Sequence, residues 1–216
     1  AVEEMGRILN IKGKVIPVTT NQTRLKMILK NREVLDGEKE IYLSQQIDEG
    51  YSSIYLEPFP KANPMAIAEI MNADLVVLGP GGIFTSIIPN LLVGGIAEAI
   101  RNSDAKKVFV CNLMNRKGQT TGFSLSDYID EISRYLGDDY FDYIMVNNQM
   151  PPDSLIERYA EEGDLVRCNM DDPRVIRAEL LGEIDEAAKH DLIKRNLIRH
   201  DSTKLAGELK KIVDHL

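Results

Sequence analysis

The segment Leu78-Gly79-Pro80-Gly81-Gly82-Ile83-Phe84-Thr85-Ser86 holds the densest set of residues suited to gripping a ligand. Glycines let a backbone turn sharply and approach a bound group with no Cβ in the way. Thr85 and Ser86 then stand at a helix entrance, where hydroxyls cap free N–H groups. Pro89 falls in the first turn, which tolerates proline. An amide-rich helix start at the positive end of the helix dipole suits phosphate. A tight strand-to-helix turn with an ordinary serine cap explains the same residues. The loop is neither a Walker loop, since no Gly-Lys-Ser/Thr follows, nor a G-x-G-x-x-G dinucleotide fingerprint.

Further polar residues close other apolar runs. Asn147 and Asn148 follow Tyr143-Ile144-Met145-Val146, and Asn112 follows Val108-Phe109-Val110-Cys111. An amide donates and accepts at once, so it can read a base, a sugar hydroxyl or another amide. An Asx turn is the alternative use of such residues. Tyr159 lies one helical turn from Leu155, so it is either a core tyrosine or a hydroxyl that reaches a ligand. Arg199 can clamp a phosphate in two-pronged fashion or form a surface pair with Asp201. Asp171-Asp172 can hold a divalent ion or cap a helix, and its place before Pro173 favours the cap.

Several chemistries lack residues to carry them. Three scattered histidines and two distant cysteines, Cys111 and Cys168, form neither a zinc constellation nor a disulfide framework. Both cysteines read as reduced residues in or beside core strands. No nucleophile elbow and no acid/base pair of carboxylates stands out. A net charge of −8 argues against a surface that neutralises nucleic-acid phosphates. The apolar fraction of 44% and charged fraction of 28% are those of a soluble globular protein. No apolar run has the length of a membrane span, and a cytoplasmic location is expected.

The elements that must position these residues follow from periodicity. Residues 1–10 read as the end of a helix, and Met5 within it suggests a sequence that starts inside a larger polypeptide. Residues 12–60 read as a β-rich excursion: Lys14–Val18 as a strand, Arg24–Leu29 and Glu40–Leu43 as alternating segments around the turn signal Asp36-Gly37, and Tyr51–Leu56 as a β run closed by Pro58 and Pro60. From Asn63 onward, apolar strands alternate with helices. The strands are Leu75–Leu78 (buried on both faces), Val108–Cys111, Tyr143–Val146 and Leu165–Cys168. The helices are Met65–Met71, Ile87–Arg101, one capped by Ser126-Asp127 and ending at Gly137, one capped by Asp153 and ending at Gly163, and a last one from Ser202. That last helix places Leu205, Leu209, Ile212, Val213 and Leu216 on one face. Such alternation predicts an α/β fold with a mostly parallel sheet flanked by helices, read as one domain over residues 1–216. Ligands in such sheets bind at the carboxyl ends of the strands. That rule points to the loops after Leu78, Cys111 and Val146.

The glycine-proline loop continues as Ile87-Ile88-Pro89-Asn90-Leu91-Leu92-Val93. Lys107-Val108-Phe109-Val110-Cys111-Asn112, Gln119-Thr120-Thr121-Gly122-Phe123, Val146-Asn147-Asn148, Arg158-Tyr159-Ala160-Glu161-Glu162-Gly163 and Ile198-Arg199-His200-Asp201 follow in order. Together these segments resemble the gluconeogenesis-factor (YvcK-like) family of the 2-phospho-L-lactate transferase (CofD-like) superfamily. The resemblance implies a Rossmann-like fold that binds UDP-sugars such as UDP-N-acetylglucosamine, with a role in cell shape and cell-wall synthesis during gluconeogenic growth. It also implies an alternative, a nucleotide-dependent phospholactyl transferase acting on a deazaflavin acceptor with Mg²⁺. A scaffold with a vestigial site is a third reading. The ligand-binding set so implied is Gly79, Pro80, Gly81, Gly82, Thr85, Ser86, Asn90, Asn112, Asn147, Asn148, Tyr159 and Arg199, with no metal ligand assigned. The expected partner is a nucleotide-sugar ligand rather than nucleic acid or membrane; self-association into a homo-oligomer is left open. The chain departs from the family at Gly82 (usually Ser), Phe84 (often Tyr) and Tyr128 (commonly His). Neither the family's Gly-Gly-Gly-Thr-Gly loop nor its Asp-Asp-Gly-Gly segment occurs, so the resemblance covers the family's carboxy-terminal two-thirds and lacks its first βα half.

Overall fold

The structure, a computed structural model, describes residues 12–182 and 198–215. The helix expected over residues 1–10, and the place of Leu216 on the last helix, lie outside the described residues.

Strands β1 (Arg24–Leu29), β2 (Val34–Asp36) and β3 (Tyr51–Glu57) form an antiparallel sheet in the order β2-β1-β3. Alternation fixes its face: Leu25, Met27 and Leu29 are buried in turn, with Met27 opposite Leu35 and Ile54. Helix α1 (Glu38–Leu43) covers this face through Ile41, so the strand reading of Glu40–Leu43 is corrected. Gly37, at φ 110°, turns the chain out of β2, and two glutamates in the first turn suit the helix dipole. The strand expected at Lys14–Val18 does not form: the segment is irregular and pairs in neither sheet. Pro17 has no N–H for a ladder, and Pro17 and Val18 give their carbonyls to Asn63 instead (3.1 and 2.7 Å).

Helix α2 (Pro64–Met71), capped by Asn63 accepting from the Met65 amide at 3.0 Å, leads into the second sheet. Strands β4 (Leu75–Leu78), β5 (Lys106–Val110), β6 (Tyr143–Asn147) and β7 (Val175–Ala178) are all parallel and stand in chain order. Strands β5 and β6 are buried on both faces, as continuous apolar runs require. Strand β4 is not: it is the edge of the described sheet, and Val77 is 40% exposed.

The fourth strand is β7, not Leu165–Cys168. That segment makes only isolated pairings, Leu165 with Met114 and Arg167 with Ser124, and Cys168 is exposed rather than beside a core strand. A Cβ on Gly163 would collide with the Asn115 carbonyl oxygen, so the chain here runs tight against the loop after β5. Arg174, at the entrance to β7, binds Asp172 (2.7 Å) and Asp139 (2.8 Å). Asp172 therefore caps no helix; its hydrogen bonds with Arg174 hold its carboxyl down at about 2.

The helix expected from Ile87 to Arg101 is broken. A π turn at Ile83–Ile87 runs into α3 (Ile88–Leu91), and α4 (Ile96–Asn102) starts afresh. Between them Gly94 exchanges backbone hydrogen bonds with Pro60 and Ala62, and Gly95 takes φ 104°. Helix α5 (Leu125–Leu136) starts at Ser124 rather than Ser126: Asp127 accepts from the Ser124 amide (2.7 Å) and hydroxyl (2.5 Å). Gly137 ends it at φ 102°. Helix α6 (Asp153–Tyr159) is shorter than expected, with Pro152 rather than Asp153 at its cap position. Helix α7 (Ser202–Val213) is capped by Asp201. It lays Leu205, Leu209 and Ile212 on Val108, Val110 and Met145, whereas Val213 faces out at 47% exposure.

One core runs through both sheets, from Met27 and Ile41 through Phe84 and Phe109 to Ile144. A polar latch joins them as well. The Tyr51 hydroxyl of β3 donates to the buried Glu131 carboxylate of α5 and lies 2.6 Å from the Tyr135 hydroxyl. Arg134 holds the other Glu131 oxygen at 2.9 Å. No helix among the described residues is long and apolar enough to cross a membrane.

Candidate functional site

The carboxyl ends of β5 and β6 open into a cavity of about 780 Å³, within the usual range for small-ligand sites. Cys111, Asn112, Val146, Asn147 and Asn148 form its floor and rim. Ile156 and Ala160, on and just after α6, give one wall, and Gly163 to Cys168 give another. Burial pushes the Cys111 thiol up to about 12, so it is an inert, apolar part of the floor.

Parallel pairing sets Asn112 and Asn147 at the ends of adjacent strands, and each amide holds a neighbouring loop. Asn112 donates to the Gly81 carbonyl (3.0 Å) and accepts from the Gly81 amide (3.1 Å), tying the glycine loop to the cavity rim. Asn147 donates to the Gln149 carbonyl (2.6 Å) and accepts from the Leu180 amide (3.0 Å). Asn148 is exposed at the rim, its backbone amide bonded to the Ala178 carbonyl.

In the glycine loop Gly79, Pro80 and Gly82 are exposed. The Gly82 carbonyl accepts from the Thr85, Ser86 and Ile87 amides (3.2, 2.7 and 3.2 Å). The amides of Gly82, Ile83 and Phe84 have no hydrogen-bond acceptor among the described residues. That leaves a row of donors at a helical start, the arrangement that receives an anion. A Cβ on Gly82 would crowd the Thr85 hydroxyl, so the missing family serine coincides with a threonine lying over that position. Asn90 bonds back to the Ser86 carbonyl at 2.6 Å. Thr85 does not line the main cavity. It faces a second, more open hollow of about 490 Å³ bounded by Arg24, Asp36 and Lys39.

Tyr159 and Arg199 also lie outside the main cavity's lining. Tyr159 is 6% exposed and packs with Leu113, Leu155, Leu181 and Ile198. Arg199 is exposed next to Ile198, and its carbonyl accepts from the Gly182 amide at 2.9 Å. The expected surface pair with Asp201 does not form, because the Asp201 carboxylate caps α7 with the Thr203 and Lys204 amides, both at 2.8 Å. His200 keeps a buried Nε2 with no partner among the described residues, and burial pushes its imidazole below the ordinary value.

Three residues of the site carried no mark in the sequence. Asn115, 3% exposed, donates to Asp164 (2.6 Å) and the Phe123 carbonyl (2.8 Å) and accepts from the Tyr128 hydroxyl (3.0 Å). Asp164 also takes the Gly122 amide at 2.8 Å. Arg167 lines the cavity with no hydrogen-bond acceptor for its guanidinium among the described residues. A polar residue following an apolar run was the only available signal, and it singled out Asn112 while leaving Asn115 unmarked. The Gln119–Gly122 segment acts as a strut. Gln119 donates to the Ile41 and Tyr42 carbonyls (3.0 and 2.8 Å), and the Thr121 hydroxyl donates to Asp48.

Among the described residues no group of three or more His, Cys, Asp or Glu could hold a metal. Asp164, the carboxylate lining the cavity, is committed to Asn115 and Gly122. These residues do not fit a Mg²⁺ site.

Residues 1–187 match the family model described as 2-phospho-L-lactate transferase CofD. A protein of Thermotoga maritima named as a gluconeogenesis factor is 36% identical, over 98% of this chain and 66% of its own length. The gluconeogenesis factor of Bacillus subtilis is 31% identical, over 97% of this chain and 64% of its own. The crystal structure of a UPF0052-family protein from Bacillus halodurans superposes with a TM-score of 0.81 at 28% identity, covering 96% of this chain and 65% of that one. The chain spans between 44% and 66% of the length of curated relatives such as these. Fold and matched sequence agree: this chain belongs to the CofD family, among its gluconeogenesis-factor members.

Proposed function

We propose that this chain forms part of a UDP-sugar-binding regulatory protein, taking a ligand of the UDP-N-acetylglucosamine kind and acting in the cytoplasm on cell shape and wall synthesis during gluconeogenic growth. The observation that carries the binding part is the Asn112 clamp. It fixes a loop with unpaired Gly82, Ile83 and Phe84 amides at the rim of the 780 Å³ cavity. Donors of that kind suit a diphosphate, and the cavity has room for a nucleoside or sugar beside it. Calorimetry of the full-length protein with UDP-N-acetylglucosamine tests the reading, and no heat at millimolar ligand removes it. Asn112→Ala, which releases the Gly81 carbonyl and amide, is expected to weaken that binding by about tenfold or more, read by the same calorimetry.

The matched family description favours a second reading, a nucleotide-dependent transfer of a phospholactyl group. Product formation with a deazaflavin acceptor and Mg²⁺ would establish it. Among the described residues no group of three or more His, Cys, Asp or Glu gathers to hold the metal of that chemistry.

A further inference from the structure

We propose that Arg167, an exposed residue on the wall of the strand-end cavity, is its anion anchor, holding a phosphate or carboxylate group of the ligand at a point separate from the glycine loop. The inference rests on the reading of this cavity as the ligand site.

Among the described residues, only two charged side chains, Asp164 and Arg167, line the cavity. Asp164 is spoken for, since its oxygens take Asn115 Nδ2 at 2.6 Å and the Gly122 amide at 2.8 Å. Arg167 makes no side-chain hydrogen bond among the described residues. Among the described residues, Arg167 is therefore the charged side chain of the lining whose hydrogen-bonding groups are unengaged, and it is a cation in a chain whose net charge is −8. Arg177 is not part of the lining, and its Nη2 donates to the Met170 carbonyl at 2.6 Å. The same nitrogen lies 3.6 Å from the sulfur of Cys168, a lining residue.

The placement of Arg167 is built rather than incidental. Its carbonyl accepts from the Leu125 amide at the start of α5 at 2.9 Å. The preceding Val166 amide donates to the Leu113 carbonyl at 3.1 Å. Gly163 is locked against the Asn115 backbone a few residues earlier. The main chain beneath the guanidinium is thus pinned on two sides, while the side chain stays free to close on a ligand. A planar fork of donors matches phosphate or carboxylate oxygens two at a time, which an ammonium cannot copy. The glycine loop is not part of the cavity lining. A ligand reaching both thus carries two separate acceptor groups, or an extended one such as a diphosphate.

The test measures binding of UDP-N-acetylglucosamine, uridine and inorganic pyrophosphate to the full-length protein and its Arg167→Gln and Arg167→Lys variants, with Tm as the control for folding. The expected result is a tenfold or greater weakening of UDP-N-acetylglucosamine and pyrophosphate binding in Arg167→Gln, with partial recovery in Arg167→Lys, no change for uridine, and unchanged Tm. Equal affinity of wild type and Arg167→Gln for UDP-N-acetylglucosamine overturns the anchor and leaves the UDP-sugar reading standing. Pyrophosphate binding lost in Arg167→Gln, with no nucleotide bound by wild type, overturns the UDP-sugar reading and keeps the anchor. No binding of any probe by wild type overturns both.

Discussion

At the residue scale, the polar side chains around the cavity spend most of their capacity on backbone. Asn112 and Asn147 stood out in the sequence because they follow apolar strands. What the sequence could not show is that their amides hold Gly81 and Leu180. Asn115 and Asp164 escaped notice because they are 49 residues apart and meet only in the folded chain. Gly163 carries the sharpest expectation. Its neighbour is the Asn115 carbonyl, a backbone atom that cannot rotate away. Gly163→Ala is therefore expected to destabilise by about 2 kcal/mol or more, as overpacking does, read as a fall in denaturation midpoint. His200 gives a pH signature. Its folded-state imidazole is pushed below the ordinary 6.5, so the unfolded chain binds the proton more readily. Its contribution is present above about pH 6.5 and is lost as pH falls through the lower folded value. Equilibrium unfolding between pH 7 and 5 should show this slope, and His200→Asn should flatten it.

At the element scale, legibility followed burial. Strands β5 and β6 read correctly because both faces are buried and their apolar runs are continuous. Strand β7 was missed because Arg174 at its entrance and Arg177 within it interrupt the run. Helix α1 was mistaken for a strand because one buried residue, Ile41, gives no period to count. The break between α3 and α4 was hidden because the Gly94 carbonyl and amide are claimed by Ala62 and Pro60, residues far back in the chain. The contact of β3 with α5 can be tested directly. Tyr51→Phe removes the phenol that donates to the Glu131 carboxylate, whose side chain is only 7% exposed. A hydrogen bond to a buried charge is worth about 1.5–3 kcal/mol, and a loss of that size in denaturant unfolding is expected. If stability does not change, the latch adds nothing to the packing of Tyr51 on Phe84 at 5.4 Å.

At the scale of the whole molecule, the alternation of strands and helices announced the parallel sheet, and the strand-end rule led to the cavity. The antiparallel sheet of β1, β2 and β3 read in the sequence as a β-rich excursion within the one domain. In the structure it shares one core with the α/β body and is joined to the cavity by the Gln119–Gly122 strut. At one end the strut grips the Ile41 and Tyr42 carbonyls and the Asp48 carboxylate; at the other, its Gly122 amide sits on Asp164 in the cavity wall. A polar tie of this kind works as a tension member, so whatever stills one end stills the other. Ligand in the cavity should therefore slow hydrogen exchange at amides near Asp48, among them the Asp48 amide that donates to the Gly118 carbonyl at 3.2 Å. Gln119→Ala should cut that response while the cavity still fills. Occupancy of the cavity would then be legible from outside, on a surface that no ligand touches.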